Sequence, residues 1–151
     1  MDIVSFDPSL KKDFVRLNQE WLEAYFNIEP HDVELLENCE SSIIQKGGYI
    51  FFGILDKEVI GTFALIKKSE NTFELGKMAV SKSYQGRGYG RLLLRFCLNF
   101  VRDKGWKEII LYSNTALKSA IHLYKEFGFI VIPLEKELPY LRSNIKMKYL
   151  L

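Results

Sequence analysis

The chain has 151 residues, with 21 basic and 19 acidic side chains, a formal net charge of +2, 48% apolar residues and 26% charged ones. That is enough chain for one domain with a sizeable core, of ordinary globular composition, which sets aside the disordered, collagen-like and mucin-like classes. So balanced a charge gives no argument for binding a polyanion.

Ile3–Phe6 reads as a short first strand, after which Asp7-Pro8 supplies an N-cap and a first-turn proline. Leu10, Phe14, Leu17 and Trp21 follow at helical spacing, with Leu22 and Tyr25 widening the stripe, which predicts an amphipathic helix. Past Pro30, the positions of Val33, Leu36, Ile43 and Ile44 predict a second helix ending before Gly47-Gly48. The period then changes. Tyr49–Leu55 and Val59–Ile66, aromatic and β-branched around Asp56-Lys57-Glu58, predict an antiparallel hairpin, and Ser69-Glu70-Asn71 turns the chain into a third strand over Phe73–Val80.

The second half alternates. Gly88–Lys104 predicts a long helix closed by Gly105, Ile109–Ser113 a buried strand, and Leu117–Phe127 a helix stopped by Gly128. Phe129–Ile132 and Ile145–Leu150 predict two last strands around a loop with Pro133 and Pro139. The sum is a single α+β domain over residues 1–151, a mixed sheet covered by helices. A free sheet edge near residues 145–150 is where two copies would pair, which leaves a homodimer open.

Cys39 and Cys97 have no C-x-x-C spacing, and His31 and His122 are the only histidines, so neither a disulfide framework nor a metal site is expected. Both cysteines lie on helical stripes and read as packing residues. Met1–Phe6 lacks the basic start and apolar core of a signal peptide, and no apolar run approaches the ~20 residues of a membrane span. The expectation is a cytoplasmic protein without a membrane partner.

The chemistry concentrates at Gln85-Gly86-Arg87-Gly88-Tyr89-Gly90, between a strand and a long helix. Alternate glycines let backbone approach a ligand, and N–H groups at a helix start favour negative charge. With Lys82, Arg87 and Arg91 nearby, a phosphate or pyrophosphate is the natural occupant. No Gly-Lys-Ser/Thr is present for a Walker A loop, and a dinucleotide fingerprint would need glycine where Arg91 stands.

The stretch FELGKMAVSKSYQGRGYGRLLL, followed by LYSNTALKSAIHLYKEFGF, resembles the GNAT superfamily of acetyl-CoA-dependent N-acetyltransferases, from residue 73 to residue 129. The resemblance implies a GNAT-like mixed, mostly antiparallel sheet of about six or seven strands flanked by about four helices. It implies acetyl-CoA as co-substrate and direct transfer, within a ternary complex, to a primary amine of a small molecule or peptide. The backbone of Met78, Ala79 and Val80 would pair with the pantetheine arm, with the Met78 N–H near the thioester carbonyl. Gln85, Gly86, Arg87, Gly88, Tyr89, Gly90 and Arg91 would hold the pyrophosphate. Tyr124, within L-Y-x-x-x-G-F, would stand beside the CoA sulfur as proton donor to the thiolate. Glu74, four residues before Met78, matches the catalytic glutamate of histone-type members and would be the general base. A solvated strand carboxylate at Glu74 and a core aromatic at Tyr124 are the competing readings.

One departure stands out. The commonest superfamily pattern places asparagine seven residues before this tyrosine, where this chain has Leu117. Asn114 either contacts the cofactor or caps the following helix with Ser113 and Thr115. For the acceptor, Tyr25 and His31 near the first helix, and Tyr140 and Arg142 in the late loop, match regions that commonly line this pocket. Arg142 would bind a substrate carboxylate bidentately, which suits an amino-acid or peptide acceptor. The alternative function is a non-catalytic acyl-CoA-binding sensor on the same fold. A nucleic-acid module is disfavoured by the balanced charge.

Overall fold

The computed structural model describes residues 1–151. In chain order the elements are β1 (Asp2–Ser5), α1 (Lys11–Tyr25), α2 (Pro30–Glu37), β2 (Tyr49–Leu55), β3 (Glu58–Lys67), β4 (Thr72–Val80), α3 (Tyr89–Lys104), β5 (Glu108–Ser113), α4 (Lys118–Glu126), β6 (Ile130–Ile132) and β7 (Ile145–Leu150). The strands make one seven-stranded sheet of order β1-β2-β3-β4-β5-β7-β6. Every pairing is antiparallel except β4 with β5. This is the mostly antiparallel, helix-flanked sheet that the sequence predicts.

Alternation along the strands sorts the residues onto two cores. Phe63, Leu65, Phe73 and Leu75 pack with Leu94, Cys97 and Val101 of α3 on one face. Phe52, Ala64 and Ile66 pack with Phe14 and Leu22 of α1 and Leu36 of α2 on the other. Both cysteine thiols are free and buried. The feature that positions the site is the brevity of the parallel pairing. β4 and β5 pair only at Thr72↔Glu108, Phe73↔Ile109 and Glu74↔Ile110, although β5 pairs with β7 along its whole length. Beyond Glu74 the two central strands part. A bulge accompanies the parting: the register of β4 against β3 slips between Gly76 and Ala79, and Lys77 takes a left-handed φ of 51°.

Two expectations are corrected. The second helix is not continuous: α2 ends at Glu37, and Glu40–Ile44 forms a separate π-helical turn. Short polar side chains divert the junction, since Asn38 and Ser42 both donate to the Glu34 carboxylate and the Ser41 hydroxyl bonds back to the Asn38 carbonyl. Nor is residues 145–150 an open edge. β7 lies between β5 and β6, and the edge on that side is β6, where Ile130 and Val131 are exposed. Periodicity identifies a strand but not its neighbours. No helix is long and apolar enough to cross a membrane.

Candidate active site

The glycine loop adopts a conformation that only its composition permits. Gly86 and Gly88 sit at φ 76° and 87°, and a Cβ on Gly86, Gly88 or Gly90 would meet nothing within 4 Å. Gly86 and Gly88 are therefore required by backbone angle, not by crowding, whereas Gly90 is required by neither. The Gln85 side-chain amide ties the loop to the Val80 carbonyl at 3.0 Å. The N–H groups of Gly86, Arg87, Gly88, Tyr89, Gly90 and Arg91 donate to no protein acceptor, and the first helical bond is from Leu92 N–H to Gly88 at 3.2 Å. Such a run of unpaired donors at a helix start is an anion cradle built from backbone. The nearby guanidinium groups stand aside from it: Arg91 pairs with Glu126 at 2.7 Å, and Arg87 lies over the Tyr84 ring.

Between the parted strands runs a cavity of about 330 Å³. Of the predicted cofactor residues, Met78, Ala79, Val80, Gln85, Gly86, Tyr89, Gly90 and Asn114 line it, as does Tyr124, whereas Arg87, Gly88 and Arg91 do not. Tyr124 is half-buried, packs on Phe129 at 5.7 Å between ring centroids, and donates its hydroxyl to no protein acceptor. Burial pushes its pKa up to about 12, with the Cys97 thiol adding to the shift. Asn114 serves the protein itself. Its side-chain carbonyl accepts the Ala116 N–H at 2.8 Å, capping the turn before α4, and its amide donates to the Arg142 carbonyl at 2.8 Å.

At the vertex, where β4 and β5 still pair, lies Glu74. It is 2% exposed, which corrects the solvated reading. The Tyr140 hydroxyl donates to its Oε2 at 3.1 Å. Oε1 makes no hydrogen bond, with Lys68 Nζ in ionic contact at 3.4 Å. A Cβ at Gly76 would come within 3.2 Å of Oε2, so glycine there leaves room for the carboxylate. Tyr140 is itself buried beside Tyr112 and His31, and burial together with Glu74 pushes its phenol well above the usual range.

Behind this pair lies an ionic network that sequence reasoning missed. Lys77, turned inward by the bulge, places Nζ 2.5 Å from Asp32 and 4.6 Å from the Tyr140 ring centroid. Asp32 is fully buried and also accepts both terminal nitrogens of Arg142, at 2.7 and 2.8 Å, and the Glu29 N–H at 2.8 Å. Glu29 in turn accepts the Leu141 and Arg142 N–H groups and the Arg142 Nη1. Burial alone would raise the Asp32 pKa, but Arg142 and Lys77 outweigh it and hold the carboxyl well below the carboxylate range. The bidentate edge of Arg142 is thus taken by Asp32, which corrects the expectation that it waits for a substrate carboxylate.

His31 and Tyr25 stand outside the cavity. His31 is half-buried against Tyr140, with its pKa lowered by burial and by Lys77. Tyr25 is 51% exposed and lines a shallow depression with Phe26, Glu29 and Leu141. Trp21 lines the cavity itself, as do Phe26 and Tyr112. The signals for the network were present but ordinary: Glu29-Pro30-His31-Asp32 reads as a helix start, and Lys77 is a lone charge in an apolar strand.

The Acetyltransferase (GNAT) family matches residues 13–129. A probable N-acetyltransferase 14 from Xenopus tropicalis is 34% identical over 84 residues, 54% of this chain and 41% of that protein. N-acetyltransferase family 8 member 2 from Rattus norvegicus is 31% identical over 99 residues, 62% of this chain and 44% of that protein. The chain therefore spans less than half the length of these curated relatives. Among solved structures, a GNAT-family acetyltransferase from Staphylococcus aureus Mu50 superposes with a TM-score of 0.85 at 25% identity, covering 97% of this chain and 96% of that one.

Proposed function

The chain belongs to the GNAT acetyltransferase family, and from that premise we propose that it is an acetyl-CoA-dependent N-acetyltransferase, moving an acetyl group directly to a primary amine of a small molecule or peptide. One observation carries the reading: a single cavity joins a cradle of unpaired backbone N–H groups to a buried carboxylate. The cradle suits a pyrophosphate. The free edge of β4 from Met78 to Val80, left by the parting of β5, suits an extended pantetheine arm added as a strand.

The chemistry then distributes over this chain's residues. An alkylamine, with a pKa near ~10, is largely protonated at neutral pH and must lose a proton before it attacks. Glu74 takes that proton. The amine lone pair forms the C–N bond to the thioester carbonyl carbon, and the Met78 N–H steadies the developing oxyanion. The C–S bond breaks, and the thiolate takes a proton from the Tyr124 hydroxyl. The nitrogen's second proton returns to Tyr124, and Glu74 releases the first to solvent, so both groups are restored with one proton released per transfer. Asn114 braces the turn and the late loop around these groups. The free buried thiols of Cys39 and Cys97 suit a reduced, cytoplasmic setting.

The test is a panel of primary amines and short peptides assayed for CoA release from acetyl-CoA. Release that depends on an amine is the expected result. Saturable acetyl-CoA binding with no release for any acceptor supports the sensor reading and overturns transfer.

A further inference from the structure

Two cations line the cavity near Glu74, and neither is free. Lys77 rests on Asp32, and Arg142 spends its two terminal nitrogens on Asp32 and one of them also on Glu29. The formal charges of Lys77 and Arg142 are therefore matched by Asp32 and Glu29. Glu74 adds a negative charge to the lining, while Lys68, its ionic partner, lies outside the lining. Two of the unpaired polar atoms at this end are acceptors only. Glu74 Oε1 has no hydrogen bond, and Asn18, whose amide is tied to the Phe14 carbonyl at 3.0 Å, leaves its own carbonyl oxygen without a protein donor. The remaining wall is aromatic, from Trp21, Phe26 and Tyr112. Outward, the shallow depression that shares Phe26 and Arg142 with the cavity adds the Glu23 carboxylate and the apolar surface of Tyr25 and Leu141.

We infer that the acceptor is a primary amine with an apolar body and no carboxylate on the amine-bearing carbon, bound as a cation between Glu74 and the aromatic wall. This rests on the acetyl-transfer reading. A substrate ammonium gains from Glu74 and from the ring faces. A carboxylate one carbon away would be desolvated beside Glu74 without an unpaired cation to meet it, and an unpaired buried charge is strongly disfavoured. Arg142 and Asp32 together thus act as a specificity device, holding a guanidinium in the lining while denying it to the substrate.

Matched pairs test this on the wild-type protein: 2-phenylethylamine against phenylalanine, tyramine against tyrosine, and isoamylamine against leucine. Steady-state CoA release gives kcat/KM for each, and calorimetry with CoA present gives the affinity of each. The amine of at least one pair is expected to exceed its amino acid by about 100-fold or more in kcat/KM. Phenylalaninamide, which lacks the charge, is expected to fall on the amine's side. Asp32→Asn, which releases Arg142 and Lys77, should shrink the amine preference by about tenfold or more. Should that variant not fold, Arg142→Gln, which removes the guanidinium altogether, is expected to leave the amine preference no smaller, and a preference widened by a loss of amino-acid turnover alone overturns the inference.

Amino acids turned over as well as their amines overturn the inference and leave transfer standing. Discrimination in binding without CoA release from acetyl-CoA overturns transfer, and with it the role of acceptor, and leaves only an amine-selective binding site. An unchanged preference in a folded Asp32→Asn, or no binding of any amine, overturns the inference.

Discussion

Tyr124 carries a phenol whose pKa burial pushes up to about 12, so at neutral pH it can give a proton and cannot act as a base. Tyr124→Phe is therefore expected to lower kcat by about 100-fold while leaving the calorimetric affinity for acetyl-CoA unchanged. Glu74 is proposed to take the complementary part. Without it only the free-base fraction of the acceptor reacts, so Glu74→Gln should depress the rate most at low pH, where that fraction is smallest. An unchanged pH–rate profile would remove Glu74 from the mechanism. A short motif and its spacing singled out both residues in the sequence, and the structure puts both on the lining of one cavity. The burial of Glu74 was not legible there, because the tertiary partner that meets its carboxylate, Tyr140, lies far along the chain. Asp32 and Lys77 were invisible for the same reason: each looks ordinary beside its sequence neighbours, and only the fold makes them partners.

At the scale of elements, Asp32 joins the start of α2 to the β4 bulge and to the loop carrying Arg142. Breaking such a buried pair leaves uncompensated charge, so Asp32→Asn should cost about 3–5 kcal/mol. For a domain of this size that lowers Tm by about 10 °C, measurable by circular dichroism. The pH dependence has a definite sign. The folded pKa of Asp32 is depressed, so its contribution is complete above the ordinary value near ~3.9 and drains away as pH falls below it. Wild-type Tm should thus fall steeply below about pH 4, and Asp32→Asn should flatten that fall. The glycine loop makes a separate prediction. Gly88→Ala has room for its Cβ but not the backbone angle, at a cost of about 1–2 kcal/mol. The domain should fold, with weaker acetyl-CoA binding as the N–H groups are re-aimed. Most element boundaries were legible to within a residue or two, because period and capping are local. The break after α2 was not, since it depends on Asn38, Ser41 and Ser42 diverting backbone and side-chain hydrogen bonds within an otherwise helical pattern.

Across the whole molecule, the cavity follows from where the sheet comes apart. Helices cover both faces, the β4–β5 pairing stops at Glu74, and the resulting cavity brings together a loop, a bulged strand and a late turn distant in sequence. The fold class and the anion cradle were readable from one continuous stretch of chain. The end around Glu74 was not, because its charges cancel in pairs that only tertiary structure creates, and the expectation of a free Arg142 did not foresee its pairing with Asp32. The central claim is that this cavity takes acetyl-CoA with its pyrophosphate on the Gly86–Arg91 backbone. Calorimetric titration of the wild-type protein with acetyl-CoA, repeated with Gly88→Ala, tests it most directly. Saturable binding of one molecule per chain, weakened in the folded variant, is the predicted result; no binding to the wild type, or equal affinity in both, would contradict it.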